Sequence, residues 1–366
     1  MQSAREGIVL LKNENNLLPL KKNLKSIAVI GPNADHVRNQ LGDYTAWNIL
    51  QDVVTVLEGI QNTVSPQTKV IHVKGCNVFN MDVNEIQKAR KAAEKAEVAI
   101  VVVGENQWRV TDDRITAGEG YDIASLDLTG MQGDLIRAVY DTGTPTVVVL
   151  VNGRPLSIRW TAEHVPVVVE TWLCGEQGGN AVAEVLFGDY NPSGRLPVTV
   201  PRHVGQLPVY YNHKKSKAYW INNGWGEAYA DMSAEPLYYF GHGLSYTTFE
   251  YSGLHITPSD IFSGGEVTVT VDIKNTGTRA GDEVVQLYIK DVISSVATPV
   301  MELKGFQKIP LEPGEKKTIT FTVNHEHLSL INRHMERVVE PGVFEIMIGR
   351  SSHDIRLKGK INIKNQ

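Results

Sequence analysis

Apolar positions along the chain follow two different rules. From residue 25 to about 200, short β-branched runs alternate with stretches of helical periodicity, and Ser26–Ile30, Lys69–Val73, 98–103, Thr146–Val151 and 165–169 stay apolar at successive positions. A strand covered on one face alternates and a strand covered on both does not, so these five runs predict an α/β layer structure with a largely parallel sheet. Between them, 82–97 is polar with Ile86, Ala89, Ala93 and Ala96 on one face, and Asp82 with Glu85 three residues on reads as a capping-box start. Further helices are predicted over 131–142, ended by Gly143, and over 180–187, opened after Gly178-Gly179 and closed by Gly188.

Beyond Ser252 the runs alternate instead: 266–273, 283–289 and 317–323 each place every second residue apolar, with turns at Asn275-Thr276-Gly277, Glu312-Pro313-Gly314 and Glu340-Pro341-Gly342. Roughly seven short strands at this spacing predict an antiparallel β-sandwich of immunoglobulin or fibronectin type III kind, without a helix of any length. The stretch between carries Tyr210, Tyr211, Tyr219, Trp220, Trp225, Tyr238, Tyr239, Phe240 and Tyr246 with neither period. An interdomain strap packed through aromatics and a carbohydrate-stacking surface both fit it. The division is therefore a connecting segment at 1–24, an α/β domain at 25–201, an aromatic-rich linker at 202–251 and a β-sandwich at 252–366. No internal repeat points to a solenoid.

Composition narrows the function classes. With 36 Lys and Arg against 41 Asp and Glu, the formal net charge of -5 argues against a dedicated nucleic-acid or anionic-membrane binder. Two cysteines, Cys76 and Cys174, make neither a disulfide framework nor a paired-cysteine zinc site, and the histidines are scattered, so no metal or other cofactor is expected. The most apolar runs are far shorter than the ~20 residues that span a bilayer. The first residues lack the order of a signal peptide, as a processed fragment also would, which leaves localisation open.

The informative irregularity is 105–129, 25 residues with little sign of regular structure. Loops that long inside a compact domain are usually functional or disordered, and this one leaves a parallel strand at its carboxyl end, where open α/β sheets bind ligands. It holds Glu105, Trp108, Arg109, Asp112, Asp113, Arg114, Glu119, Tyr121 and Asp122. Glu119 has a glycine on each side, so the backbone can take an unusual conformation and push the carboxylate outward. The bland alternative is that these acids are solvated or pair with Arg109 and Arg114. Two other signals are weaker. Gly31-Pro32-Asn33-Ala34-Asp35 reads as a ligand-facing turn without a dinucleotide fingerprint, and Gly175 to Gly179 reads as close strand–helix packing more readily than as an anion site.

Ala4-Arg5-Glu6-Gly7-Ile8-Val9-Leu10-Leu11-Lys12-Asn13, Ile27-Ala28-Val29-Ile30-Gly31-Pro32-Asn33-Ala34, Asn152-Gly153-Arg154-Pro155, Gly175-Glu176-Gln177-Gly178-Gly179-Asn180-Ala181 and Gly188 through Pro197 resemble segments of glycoside hydrolase family three, home of many β-glucosidases and β-xylosidases. Pro236 through Tyr246, Leu303-Lys304-Gly305-Phe306 and Pro341-Gly342-Val343-Phe344 resemble its linker and fibronectin type III-like domain. The resemblance runs over essentially the whole chain.

It implies an α/β sandwich followed by a β-sandwich, the carboxyl-terminal half of a retaining glycosidase, with the amino-terminal (β/α)8 barrel missing. Such enzymes need two carboxyl groups ~5–5.5 Å apart. The family nucleophile is an aspartate in a Ser-Asp-Trp motif, and the one Ser-Asp pair here, Ser259-Asp260, is followed by Ile261. The nucleophile is expected on a barrel supplied by another chain or segment, and this chain alone is expected to be inactive. Gly118-Glu119-Gly120-Tyr121 resembles the family's acid/base sequence, which makes Glu119 the expected catalytic residue. Trp108, Arg109, Arg114 and Tyr121 are the expected substrate contacts, Trp108 by stacking on a leaving-group sugar. The expected substrate is a β-linked oligosaccharide or aryl β-glucoside with terminal non-reducing glucose; alternatives are a β-xyloside and a non-catalytic module binding carbohydrate or protein.

Overall fold

A computed structural model describes residues 1–45, 50–107, 113–214 and 229–364. They divide into two compact units, residues Met1–Arg195, Val200–Leu207 and Gly243–Tyr246 in one, and Leu196–Thr199, Pro208–His242 and Thr247–Gln366 in the other. Among the described residues no helix is long and apolar enough to cross a membrane.

In chain order the first unit contains α1 (Gln2–Gly7), β1 (Val9–Asn13), β2 (Ser26–Ile30), α2 (Val56–Thr63), β3 (Lys69–Val73), α3 (Ile86–Ala93), β4 (Val98–Gly104), α4 (Gln132–Tyr140), β5 (Thr146–Val151), α5 (Arg159–His164), β6 (Val167–Glu170) and α6 (Gly178–Phe187). The sheet runs β1-β6-β5-β4-β2-β3, parallel except for β1, which pairs antiparallel with β6 at the edge. All seven residues of β4 and all six of β5 are buried, as both-face coverage demands. Ile27, Val29, Ile100, Val102, Val147, Val149, Val167 and Val169 pack with Val56, Ile60, Val182 and Leu186 of α2 and α6 in one core. Helices α3 and α4 contact β2–β3 and β4–β5 respectively.

Several local expectations need correction. Asp82 and Glu85 form no capping box: α3 starts at Ile86 without a side-chain cap, and Asp82 instead accepts a 2.8 Å bond from Asn77. Helix α2, not among the predicted elements, contains Gly59 and is capped by Thr55, whose hydroxyl accepts from the Glu58 N–H. Gly179 serves helix–helix rather than strand–helix packing, since a Cβ there would meet the Thr55 carbonyl oxygen at 1.9 Å, and one on Gly59 would meet the Gly179 oxygen at 2.1 Å. Gly188 ends α6 in the left-handed region, as its position predicts.

The second unit is a sandwich. Its strands are β7 (Phe249–Thr257), β8 (Asp260–Phe262), β9 (Val267–Asn275), β10 (Gly281–Asp291), β11 (Glu302–Leu311), β12 (Lys316–Val323), β13 (Leu330–Ile331), β14 (Arg337–Val338), β15 (Gly342–Gly349) and β16 (Ile355–Lys364). A five-stranded sheet, β11-β10-β15-β16-β8, and a three-stranded one, β12-β9-β7, enclose a core in which Val267, Val269, Val271 and Ile273 meet Val285, Leu287, Ile346 and Ile348. β13 and β14 form a separate ribbon, and the one described helix here is the single turn His325–Leu328. In the aromatic stretch, Tyr211 stacks on Phe240 and Tyr239 on His353 in this unit, while the Tyr246 hydroxyl donates to the Val185 carbonyl in the first. Those rings face protein. Tyr219, Trp220 and Trp225 lie outside the described residues.

Candidate functional site

Strand β4 delivers the chain to the carboxyl end of the sheet at Gly104, and the next residue turns inward. Glu105 is 3% exposed; its N–H donates to the Val151 carbonyl, one carboxylate oxygen accepts the N–H groups of Gly153 (3.0 Å) and Arg154 (3.3 Å), and the other lies 2.9 Å from Arg154 Nε. Burial pushes its pKa up, against the opposing pull of Arg154 and the two N–H groups. The loop is then pinned to its own start: Asn106 donates its N–H to the Thr116 hydroxyl (3.0 Å), and its carbonyl accepts from Thr116 and Ala117. Trp108, Arg109 and Asp112 lie outside the described residues.

Asp113 is a tether. Its carboxylate accepts the N–H groups of Val78 (2.7 Å), Phe79 (3.1 Å) and Asn80 (3.0 Å), closing the turn after Cys76 against the loop. At the other end Thr129 and Gln132 donate to the Val78 carbonyl. A carboxylate satisfied by three backbone donors is committed to structure, so Asp113 is not a spare catalytic acid.

Glu119 occupies the outermost turn. Gly118 and Gly120 both have positive φ, 111° and 77°, which a side chain would resist, and between them the Glu119 carboxylate is exposed. Its backbone N–H donates to Asp43 (2.8 Å), and its carboxylate accepts the Tyr44 hydroxyl, a bond that raises the Tyr44 pKa. The alternative pairing of a loop acid with Arg114 is not what the guanidinium does at Glu119: it sits 5.1 Å over the Phe79 ring. Arg114 and Tyr121 are brought together instead, on the wall of one cavity of about 600 Å3 shared with Phe79, Gly120 and Asp122, a volume within the ~300–1,000 Å3 of small-molecule sites.

The Gly31 turn does not face a ligand through Asn33, which is buried with its amide donating to the Glu105 and Val151 carbonyls. Nor does Asp35, which accepts from the Thr55 hydroxyl. Among the described residues no group of His, Cys, Asp and Glu side chains is placed to hold a metal ion, and both cysteines are free thiols.

Beneath the loop, β6 ends in a second buried acid. Glu170 is 3% exposed, accepts from the Trp172 N–H (2.9 Å) and from Asn152 (3.1 Å), and burial pushes its pKa up to about 8. Because the folded carboxyl keeps its proton to higher pH than the unfolded one, its stabilisation is complete below the unfolded value of 4.5 and is lost as pH rises through about 8. Glu170→Gln stays neutral throughout, so its thermal midpoint should gain on the wild type by roughly 4 °C or more between about pH 5 and 8.5. Parallel curves for the two proteins would show that Glu170 does not carry this proton.

The first unit is thus a doubly covered α/β sheet whose fourth strand feeds a pinned loop that presents the exposed Glu119 carboxylate between two glycines, and the second is a fibronectin-type sandwich. Residues 8–246 match the Glycosyl hydrolase family 3 C-terminal domain and residues 283–352 the Fibronectin type III-like domain. The chain belongs to glycosyl hydrolase family 3. It is 42% identical to a β-xylosidase of Formosa agariphila over 98% of this chain and 49% of that protein, and 41% identical to a periplasmic β-glucosidase of Salmonella typhimurium over 96% of this chain and 48% of that one. The crystal structure of a β-glucosidase from Listeria innocua in complex with glucose is similar over 100% of this chain and 49% of its own, with a TM-score of 0.89 at 33% identity. The chain spans about half the length of the curated relatives it matches.

Asp43, Tyr44, Arg154 and Glu170 carry the site's contacts and were not singled out by sequence. Arg154 lies within a segment that resembles the family, yet nothing local to it signals a partner near residue 119.

Proposed function

We propose that this chain furnishes the general acid/base of a retaining β-glucosidase, with Glu119 as the proton donor and a catalytic barrel, on another segment or chain, as the source of the nucleophile. The observation that carries this reading is the exposed Glu119 carboxylate, raised between two positive-φ glycines on a loop whose backbone is tied down on both sides. A group that must reach a bond held by another domain has to stand clear of its own, and a carboxyl already satisfied within its domain, such as Asp113, cannot serve. In the first step Glu119 protonates the departing oxygen while the barrel nucleophile attacks the anomeric carbon; in the second it takes a proton from water. Arg114 and Tyr121 line the cavity beside it and suit the leaving group's hydroxyls and ring face, a role Trp108 and Arg109 share in this reading. The substrate is a terminal, non-reducing β-linked glucose. A β-xyloside is the second reading, favoured by the relative from Formosa agariphila, a β-xylosidase.

The test is complementation. The 366-residue chain alone should release no phenol from an aryl β-glucoside, because a proton donor without a positioned nucleophile leaves the oxocarbenium-like transition state unsupported. Adding a family barrel that carries the nucleophile should restore turnover, and aryl β-xyloside run in parallel decides between the sugars. Turnover by chain shown free of any barrel overturns the division of labour. Sugar binding by the chain, with no turnover from any barrel, favours a non-catalytic module.

A further inference from the structure

The loop that bears Glu119 is bracketed by one side chain that belongs to a different strand connection. Arg154, just after β5, sends Nη2 to two backbone carbonyls, Thr116 O at 3.1 Å and Tyr121 O at 3.1 Å. Those two residues flank Ala117-Gly118-Glu119-Gly120. The Nε of the same guanidinium lies 2.9 Å from one oxygen of the buried Glu105 carboxylate, an ion pair held by charge rather than by an aligned N–H bond, and the other oxygen is fixed by the N–H groups of Gly153 and Arg154 itself. Glu105 begins the loop that Thr116 and Tyr121 continue. One planar group therefore joins the loop's root to both sides of its tip, and its base is 3% exposed.

We propose that Arg154 is the positioning residue for Glu119: held in register by Glu105, it clamps the Thr116 and Tyr121 carbonyls so that the glycine-flanked turn presents its carboxylate in one place. The inference rests on the acid/base reading of Glu119. Its physical need is clear from the backbone. A segment with glycines on both sides of the working residue has more accessible conformations than one flanked by other residues, and misplacement of a general acid by 1 Å can cost about 100-fold in rate. Asp43 holds the Glu119 N–H, and Tyr44 reaches the carboxylate, but both approach from one loop. Arg154 fixes the flanks. Arginine suits the task because its fork is rigid and permanently charged, whereas lysine offers a single compact ammonium that can satisfy Glu105 or the carbonyls but not all three in this geometry.

Arg154→Lys is therefore the diagnostic variant, since it keeps a positive charge beside Glu105. In the full chain, amide hydrogen exchange should rise about 10-fold or more at Ala117, Glu119 and Tyr121, while the amides of β4 and β5 keep their protection. In the chain complemented with a barrel, kcat for a poor leaving group should fall at least 10-fold further than kcat for an activated one, with KM little changed. If Arg154→Lys does not fold, Glu105→Gln replaces it: the amide oxygen still accepts from Gly153 and Arg154, the charge that registers the guanidinium is gone, and the same changes should appear in smaller measure. Unchanged loop exchange, or an equal loss for good and poor leaving groups, overturns the proposal. Glu119→Ala run alongside separates the two ideas. If it lacks the leaving-group signature, the acid/base reading fails; if it has the signature and Arg154→Lys does not, only the clamp fails.

Discussion

Glu119→Ala, in an enzyme assembled from this chain and a barrel, is expected to slow hydrolysis of substrates with poor leaving groups by about 100-fold to 10,000-fold, the range of general acid help. Activated phenols should suffer far less in the first step, because a weakly basic oxygen departs without a proton. The second step should suffer for every substrate, since the same carboxylate is the base that activates water, so the glycosyl-enzyme accumulates. A small anion such as azide attacks without needing deprotonation and should restore turnover. The structure also selects the control. Asp113→Ala would strip the acceptor from three backbone donors at Val78, Phe79 and Asn80 and disturb the loop by itself. Asp122 is exposed on the cavity wall, so Asp122→Ala removes a loop charge without breaking that tether. Pre-steady-state and steady-state rates across a leaving-group series measure the outcome. A flat series with no azide rescue, like that of Asp122→Ala, would remove Glu119 from the acid/base role.

Gly179→Ala is expected to be among the most damaging single-methyl changes in the chain. Alanine favours a helix over glycine by about 1 kcal/mol, so propensity alone predicts a gain. Here the new Cβ would lie 1.9 Å from the Thr55 carbonyl oxygen, 2.4 Å from its carbon and 2.6 Å from the Val54 oxygen, all of them backbone. Relief requires moving α2 away from α6, which also strains the Gly179 N–H bond to Val54 (3.0 Å) and opens the core around Ile60 and Val182. Overpacking of this kind costs about 1–3 kcal/mol and sometimes more, so the clash outweighs the propensity. A loss of about 3 kcal/mol corresponds to a thermal midpoint roughly 6–12 °C lower. Gly133→Ala is the matched comparison: it also lies within a helix, α4, but a Cβ there has nothing within 4 Å, and it should hold or slightly raise the midpoint. Scanning calorimetry of both variants decides it, and a neutral Gly179→Ala would mean that the α2–α6 contact is looser than described.

The strands of the α/β sheet could be read along the chain because coverage on both faces leaves a local mark, an unbroken run such as 98–103 or Thr146–Val151, and the sandwich strands because coverage on one face leaves alternation, as in β9 and β12. Glycine marked its own special positions: Gly118, Gly120 and Gly188 all take the positive φ that their neighbours suggested. What no stretch of sequence carried was the meeting of residues far apart. β1 joins the sheet at its edge through β6, more than 150 residues later, by an antiparallel pairing. Asp43 and Tyr44 reach Glu119 across 76 and 75 residues, Asp113 takes its donors from 78–80, and Arg154 reaches back to Glu105, Thr116 and Tyr121. The loop contacts exist because the strand order sets β4 between β2 and β5 with β3 beside β2, which brings the loops after these four parallel strands to one edge of the sheet. Strand identity is a property of local burial, whereas loop neighbours follow from strand order, and strand order is a choice among global arrangements that only the packed sheet makes.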